Sequence, residues 1–510
     1  MKNFFKVIFS RAVFTGVFIA LQFAAILLAV TRFNEHFVIF YGICLVLSAA
    51  EVLYLVSRDS SPEYKIAWII PILALPVFGT LLFLVFGKNQ LSPREKKRMT
   101  GVNAQYKKAM NAVFPAQPPL PAHSDAVCVS EYLRRTALSP AFTHTETTYL
   151  PVGEAYLAAL LPELEKAEKF IFMEYYIIAP GKMWDAVHDV LRRKAEAGLD
   201  VRVMYDDFGC MYKLPEGYED TLEAEGIRCC VFNRFLPVLS PRFNNRDHRK
   251  ICVIDGNVGF TGGINFSDAY INAAPRCGHW LDAGVMLRGA GVYALTAMFL
   301  SMWDYTRGTA EDFTRYAPDR ALCESIDAPG WVQPFGDTPL DSEPVGETVY
   351  MHLINRAKDY VYINTPYLII DSEMITALTA AAKSGVDVRV VTPAISDSRM
   401  VHELTRSYYE TLVGAGVKVY EYTPGMVHAK TFIADGRTAV VGTINLDYRS
   451  LYLHFECGVW MYETSAVADM KAEYLAELAK CEPITWERCL LQRRGRRFIR
   501  AVLRTLAPLF

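Results

Sequence analysis

The chain has no charge surplus of either sign: 53 Lys and Arg face 55 Asp and Glu, a formal net charge of -2 over 510 residues. A protein that grips nucleic acid needs a basic surface to neutralise phosphates, so no nucleic-acid partner is expected and any charged partner must be met locally. No C-x-x-C occurs among the eleven cysteines, and the neighbours Cys229 and Cys230 cannot easily bridge to each other. Such a scattered, odd set in a long chain reads as reduced thiols, which excludes a disulfide framework and a cysteine-based zinc site. Long hydrophobic runs are missing beyond residue 90. The length leaves room for about three domains.

What the body lacks, the N-terminus holds in excess. Residues 12–30, 37–56 and 66–87 are apolar runs of 19 to 22 residues, long enough to cross a hydrocarbon layer of ~30 Å. They read as membrane anchors; the first is too long, and has no small-residue cleavage site, for a removable signal. With three spans, Lys2, Lys6, Arg11, Arg58 and Lys65 fall on one side, and Arg32, Lys88, Arg94, Lys96, Lys97, Arg98, Lys107 and Lys108 on the other. The excess of positive charge then places the N-terminus outside and the large domain in the cytoplasm. Pro71 and Pro76 offer a second arrangement, a kinked or re-entrant third segment with a cytoplasmic N-terminus.

The expected organisation is an anchor region at 1–90, a basic and Pro-rich connector at 91–129, two similar halves at 130–325 and 326–485, and a basic amphipathic helix at 486–510. The last alternates arginines with Phe498, Ile499, Val502, Leu503 and Leu506, a pattern suited to lying on anionic lipid.

The halves are betrayed by a repeat. "HRKICVIDGNVGFTGGIN" begins at His248 and "HAKTFIADGRTAVVGTIN" at His428, sharing His, Lys, Asp, two Gly, Ile and Asn at matching offsets. Each follows the same order of a β-rich strand, a helical stretch ending at Gly198 or Gly385, and a second strand. This predicts an α/β fold of two duplicated halves, each a mostly parallel sheet sandwiched by helices. Packed about a pseudo-twofold axis, they would bring His248 and His428 face to face.

Side chains two apart on a strand share a face, so His248 projects with Lys250 and His428 with Lys430. Asn265 and Asn445 follow glycine turns where backbone can approach a ligand closely. Two ammonium groups, two amides and two imidazoles make a site for one phosphate diester. One neutral imidazole attacks phosphorus to give a phosphohistidine, while the other protonates the leaving alkoxide and later deprotonates the incoming hydroxyl. This chemistry needs neither a metal nor a cofactor.

Asp255 and Asp435 complete the catalytic set of the motif, although their place before a DG turn also suits turn chemistry. Glu456 is the expected orienting carboxylate for His428, and Asp282 that for His248. Tyr175, Tyr176, Pro366 and Tyr367 follow the first strand of each half, at the end where open α/β sheets place ligands. The other eight histidines, His188, His279 and His454 among them, are expected at the surface or in packing.

The paired H-x-K-x4-D-x6-G-x-x-N motif resembles that of the phospholipase D superfamily. Over roughly residues 58–510, stretches such as "FMEYYII", "WVQPFGDTPLD", "NTPYLI" and "LDYRSLYLHFE" resemble bacterial cardiolipin synthases more narrowly. The resemblance implies transfer of a phosphatidyl group between two phosphatidylglycerol molecules at the bacterial cell membrane, with the catalytic domain on the cytoplasmic side. His248 would be nucleophile and His428 general acid and base. Phosphate binding would fall to Asn265, Asn445 and Thr443, and to Gly263, where Ser or Thr is usual and whose half therefore lacks a hydroxyl. The motif is shared with hydrolases, in which water opens the phosphohistidine to release phosphatidic acid. A membrane-tethered scaffold would not require both His-Lys pairs to be intact.

Overall fold

The computed structural model describes residues 37–58, 61–86, 93–115, 120–121, 124–234, 245–341, 343–491 and 494–509, with a few isolated positions before residue 29. The first apolar run therefore lies almost wholly outside the described residues.

Two sheets carry the body. The first contains β1 (Thr145–Leu150), β2 (Phe170–Tyr175), β3 (Asp200–Asp206), β4 (Arg228–Phe232), β5 (Lys250–Ile254) and β6 (Val258–Gly262). A short β7 (His279–Leu281) stands outside it, and β8 (Gly284–Gly289) completes it. The second is built from β9 (Trp331–Asp337), β10 (Tyr360–Asn364), β11 (Asp387–Pro393) and β12 (Lys418–Tyr422). After the separate β13 (Gly425–Val427) come β14 (Thr431–Ala434), β15 (Thr438–Gly442), β16 (Glu456–Tyr462) and β17 (Cys481–Pro483). Their orders, β1-β8-β6-β5-β2-β3-β4 and β9-β16-β15-β14-β10-β11-β12-β17, are the same apart from the added last strand.

The sheets are mixed, which corrects the mostly parallel expectation. Only β2-β3-β4 and β10-β11-β12 run parallel; the strands that follow the motif histidines are antiparallel to both neighbours. The cause is the DG turn. Asp255 and Gly256 have φ of 53° and 72°, and Asn257 N donates to Ile254 O at 3.0 Å. This is a two-residue turn of the primed kind, which folds β5 straight back onto β6. Asp435 and Gly436 repeat it at φ 53° and 65°.

The halves share one core. Phe172, Ile251 and Val285 of the first sheet belong to the same buried cluster as Val391, Ile433, Val441 and Val459 of the second. The helix Val292–Arg307 runs through it, buried along nearly its whole length, so its sequence is apolar on all sides rather than striped. Each such fully buried Leu or Phe contributes roughly 1.5–3 kcal/mol. Strand contacts cross between halves: β7 pairs in parallel with β13, Asp247 pairs in parallel with Phe455, and single antiparallel bridges join Phe142 to Val332 and Gly278 to Gly425.

The expected connector is itself structured. Val102, Tyr106, Ala109 and Met110, spaced along one face of the helix Pro93–Val113, are buried, and that helix packs on Val292–Arg307.

At the N-terminus, Phe37–Ser57 is followed by two short helices, Pro62–Ala74 and Pro76–Phe86. The third apolar run is thus broken at Leu75, whose φ of -134° and ψ of 72° leave the helical region that the following Pro76 disfavours for it. The two short helices pack on each other and on Phe37–Ser57 around Leu55, Trp68, Ile72 and Phe83. Among the described residues, no helix is long and apolar enough to cross a membrane.

Candidate active site

His248 lies two residues before β5 and His428 three residues before β14. Their backbones are pinned by the crossing contacts, His248 N to Phe455 O at 2.9 Å and His428 N to Leu281 O at 2.6 Å. Each histidine is therefore carried by one half and seated against the other. Both line one cavity of about 560 Å³, together with Asn265 and Asn445.

The orienting carboxylates are exchanged relative to expectation. Glu456 accepts from His248 Nδ1 at 2.9 and 3.0 Å, and Asp282 accepts from His428 Nδ1 at 2.6 Å. The register explains why. Asp282 and Glu456 each stand two residues before the glycine that pairs with the motif glycine: Gly262 with Gly284, and Gly442 with Gly458. They are equivalent positions, and the crossing contacts hand each carboxylate to the opposite half's histidine. Donation from Nδ1 leaves Nε2 with the lone pair, the form a nucleophile or base requires.

Lys250 and Lys430 are buried beneath the imidazoles. Lys250 Nζ donates to His248 O; Lys430 Nζ donates to His428 O and lies 2.8 Å from His428 Nδ1 and 3.2 Å from Nε2. Burial pushes the Lys250 ammonium down to about 8. Lys430 falls to about 7, through burial and the nearby charge of Lys250. Burial, with the adjacent lysine, likewise lowers both imidazoles, His248 to about 3, so His248 is neutral near pH 7. Burial alone would raise the Glu456 carboxyl; pairing with His248 and the nearness of His454 hold it low and ionised.

Several expected roles change. Asp255 and Asp435 do not line the cavity. Asp255 accepts from the backbone N–H groups of Glu168, Lys169 and Phe170 at 2.7–2.8 Å, and Asp435 from those of Lys358, Asp359 and Tyr360 at 2.8–2.9 Å. They tie the motif turn to the start of β2 or β10, a structural rather than a catalytic task. Thr443 does not reach the cavity either: its hydroxyl donates to Glu456 Oε2 and so steadies the carboxylate that holds His248. Gly263 is its counterpart, and a Cβ there would lie 2.0 Å from Asp282 Oδ1. The aspartate occupies the space a side chain would need, so the half without the hydroxyl carries the shorter acid.

The two amides differ. Asn265 Oδ1 accepts from Ile177 N at 2.9 Å and its Nδ2 donates to Tyr270 Oη at 2.8 Å, whereas Asn445 Oδ1 has no hydrogen-bond partner. Tyr176 and Tyr367 line the cavity, but Tyr175 is core, bonded to Tyr156, and Pro366 is not among the lining residues. His188 and His279 pair with Glu225 and Tyr422 as packing groups. His454 does not fit that expectation. It lines the cavity beside His248, ring centroids 5.6 Å apart, and neither of its ring nitrogens has a hydrogen-bond partner. Its equivalent in the first half is Trp280, 5.3 Å from the His428 ring. The phrases "HWLDAG" and "LHFECG", aligned on their acid and glycine, were the available signal. Arg246, Arg276, Arg449 and Lys213 also line the cavity and outnumber its two carboxylates, Asp397 and Asp447.

Ligand atoms of His248, His454 and Glu456 lie within 4.8 Å of one another, the one such grouping among the described residues. The His248 and Glu456 members are already engaged in the orienting hydrogen bond.

Two duplicated α/β halves sharing one site of paired His-x-Lys motifs define a phosphoryl-transfer protein of the phospholipase D type. Residues 160–302 and 350–478 match the family described as "Cardiolipin synthase, PLD-like domain", and residues 43–88 match "Phospholipase_D-nuclease N-terminal". A Geobacillus cardiolipin synthase is 34% identical over 91% of this chain and 92% of its own length. A protein named cardiolipin synthase 2 from Bacillus anthracis is 33% identical over 90% and 88%. An uncharacterised Streptococcus mutans protein is 43% identical over 90% and 99%. Among solved structures, the phosphatidylserine synthase of Haemophilus influenzae superposes with a TM-score of 0.55 at 14% identity, covering 76% of this chain and 98% of that one, a likeness of fold. The chain belongs to the cardiolipin synthase family of the phospholipase D superfamily, and is by class a phosphatidyltransferase.

Proposed function

We propose that the enzyme moves a phosphatidyl group from one phosphatidylglycerol to a second, giving cardiolipin and glycerol through a phosphohistidine. The observation that carries this reading is the crossed pairing: two imidazoles, each oriented by a carboxylate of the opposite half, lining one cavity, with His248 neutral and able to attack. Such a site offers one nitrogen to attack and another to move a proton.

In the first step Nε2 of His248 attacks phosphorus and the bond to the glycerol oxygen breaks. His428, which takes up a proton from solvent as the anionic diester binds and holds it with the help of Asp282, gives it to the departing alkoxide, while Glu456 stabilises the charge on His248. Charge growing on the non-bridging oxygens is offset by Lys250 and Lys430. In the second step a hydroxyl of the acceptor lipid loses its proton to His428 and attacks phosphorus, the N–P bond breaks, and His248 is restored. Every proton is carried by residues of this chain.

The lipid nature of both substrates places the work at a membrane surface. The segment between residues 37 and 86 exposes Ile43, Val46, Leu53, Ile66, Leu73 and Leu75, an apolar surface suited to the hydrocarbon layer that supports the anchor reading.

The test is mass spectrometry of lipids after incubating the detergent-solubilised protein with phosphatidylglycerol, beside His248→Ala and His428→Ala variants. Cardiolipin and glycerol are expected from the wild type and neither from the variants. Phosphatidic acid as sole product would overturn the transferase reading in favour of hydrolysis.

A further inference from the structure

Away from the catalytic cavity, the C-terminal helix Arg494–Thr505 packs on Arg399–Arg406 and on the N-terminal helix Pro62–Ala74. Beneath it lies a second cavity of about 670 Å³ lined by Arg406, Arg488, Arg496 and Arg500, with Glu421 as its only carboxylate among the described residues. A smaller neighbour of about 230 Å³ shares Arg406 and Arg500 and adds Arg497 and Arg504. Neither shares a residue with the catalytic cavity.

The charge there is unbalanced. Arg406 and Arg488 lean on Glu421, Arg488 also on Glu482, Arg496 and Arg500 on Glu403, and Arg497 on Glu410. Arg504 rests on the Tyr408 ring at 4.4 Å instead of a carboxylate. Six guanidiniums thus meet four carboxylates, an excess of two positive charges at two adjoining concavities. Guanidinium forks bind phosphate oxygens in pairs, which a lysine cluster would not do.

The same helix that buries Arg500 and sets the exposed Arg496 at the cavity mouth exposes Phe498, Ile499 and Val502, and Leu490, Leu491 and Trp486 are exposed beside it. The helix Pro62–Ala74, against which it packs, exposes Ile66, Ile70 and Leu73. Apolar side chains rimming a basic cavity match a ligand with phosphate at one end and hydrocarbon at the other.

We infer that the paired arginine cavities under the C-terminal helix bind a phospholipid carrying two phosphates, one in each cavity, with its acyl chains along the exposed apolar residues. Its two negative charges match the local excess. The inference rests on the proposed function only in making this lipid the enzyme's own product; binding itself does not depend on turnover.

The experiment uses the full chain with His248→Ala, so that no reaction alters the ligand, in dodecyl maltoside. Native mass spectrometry counts bound tetraoleoyl cardiolipin, dioleoyl phosphatidylglycerol and glycerol 3-phosphate, with and without Arg488→Gln/Arg496→Gln. The two-phosphate lipid is expected to bind at least tenfold more tightly than phosphatidylglycerol, and the Gln pair to weaken it at least tenfold. If the Gln pair lowers the melting temperature, Arg488→Lys/Arg496→Lys, which keeps charge but loses the fork, decides by an intermediate loss. Unchanged binding in both pairs, equal binding of the two lipids, or displacement by equimolar glycerol 3-phosphate would each overturn the inference. Cardiolipin synthesis by the wild type is measured separately, so failure of the proposed reaction and failure of this site are told apart.

Discussion

Glu456, at the start of β16 in the second half, accepts a hydrogen bond from His248 of the first at 2.9 Å, and Asp282 of the first half does the same for His428 of the second at 2.6 Å. Neither half can assemble a complete histidine–carboxylate pair alone. The duplication therefore does more than supply two imidazoles: it makes each half the support of the other's catalytic group, and separated halves would hold neither tautomer.

Removing either carboxylate while keeping its shape should be severe. Glu456→Gln and Asp282→Asn are each expected to lower kcat by about 10³- to 10⁴-fold, as loss of an orienting acid does in other triads. The pairing is read by NMR of the imidazole protons: the His248 Nδ1–H signal should move in Glu456→Gln and stay put in Asp282→Asn.

Thr443→Val should lower kcat about tenfold with little change in KM, since its hydroxyl steadies Glu456 rather than the lipid phosphate, a hydrogen bond to a charged group worth about 1.5 kcal/mol. Gly263→Ala should be more harmful than its size suggests, because its Cβ would force Asp282 off His428. Equal KM increases in both variants would restore the phosphate-binding role for these positions.

Asp255→Ala separates structure from catalysis. Loss of three backbone hydrogen bonds should destabilise the fold by about 2 kcal/mol, visible as a lower denaturation midpoint, with kcat at a permissive temperature within about threefold of wild type. A large fall in kcat with no loss of stability would return Asp255 to the catalytic set.

The lysines set the pH dependence. Binding and stabilising an anionic diester needs ammonium at Lys430 and Lys250, which lose their protons near 7 and 8 in the free enzyme, so kcat/KM should fall as pH rises through that window. His248 stays neutral well below pH 5, so no rising limb near 6.5 is expected. For stability the sign is opposite. Between about 7 and the ordinary lysine value the unfolded chain binds more protons than the folded one, and stability rises with pH. Lys430→Met should accordingly abolish turnover yet raise Tm, more at pH 6 than at pH 9.

Chelation offers a further check. The charge-offsetting role lies with Lys250 and Lys430, so EDTA should leave the initial rate unchanged. Added zinc should inhibit by competing at His248, His454 and Glu456, whose ligand atoms lie within 4.8 Å.

The histidines, lysines and asparagines of the site were legible because they recur at one spacing. The pairing of acids to histidines was not. Asn265 and Asp282 are 17 residues apart, whereas Asn445 and Glu456 are 11 apart, so counting from the motif hid their equivalence. Aligning "LDAG" with "FECG" reveals it, but only the strand register makes that the right alignment. His454 was passed over as one histidine among many, since nothing local marks a side chain that reaches a cavity made by another half. The parallel-sheet expectation failed at the DG turn, where two residues in the left-handed region outweighed the alternation of strand and helix.

The sequence by itself determined the duplication, the motif side chains and the chemistry open to them, because these depend on residue type and short-range spacing. Only the tertiary structure decided which acid serves which histidine, that Thr443 serves Glu456, and that Arg406 and Arg488 meet four arginines of the C-terminal helix at two adjoining cavities. Those relations join residues brought together by β7 pairing with β13, Asp247 with Phe455, and the C-terminal helix with the body. Contacts between distant segments are set by packing and strand register, which no local stretch of sequence contains.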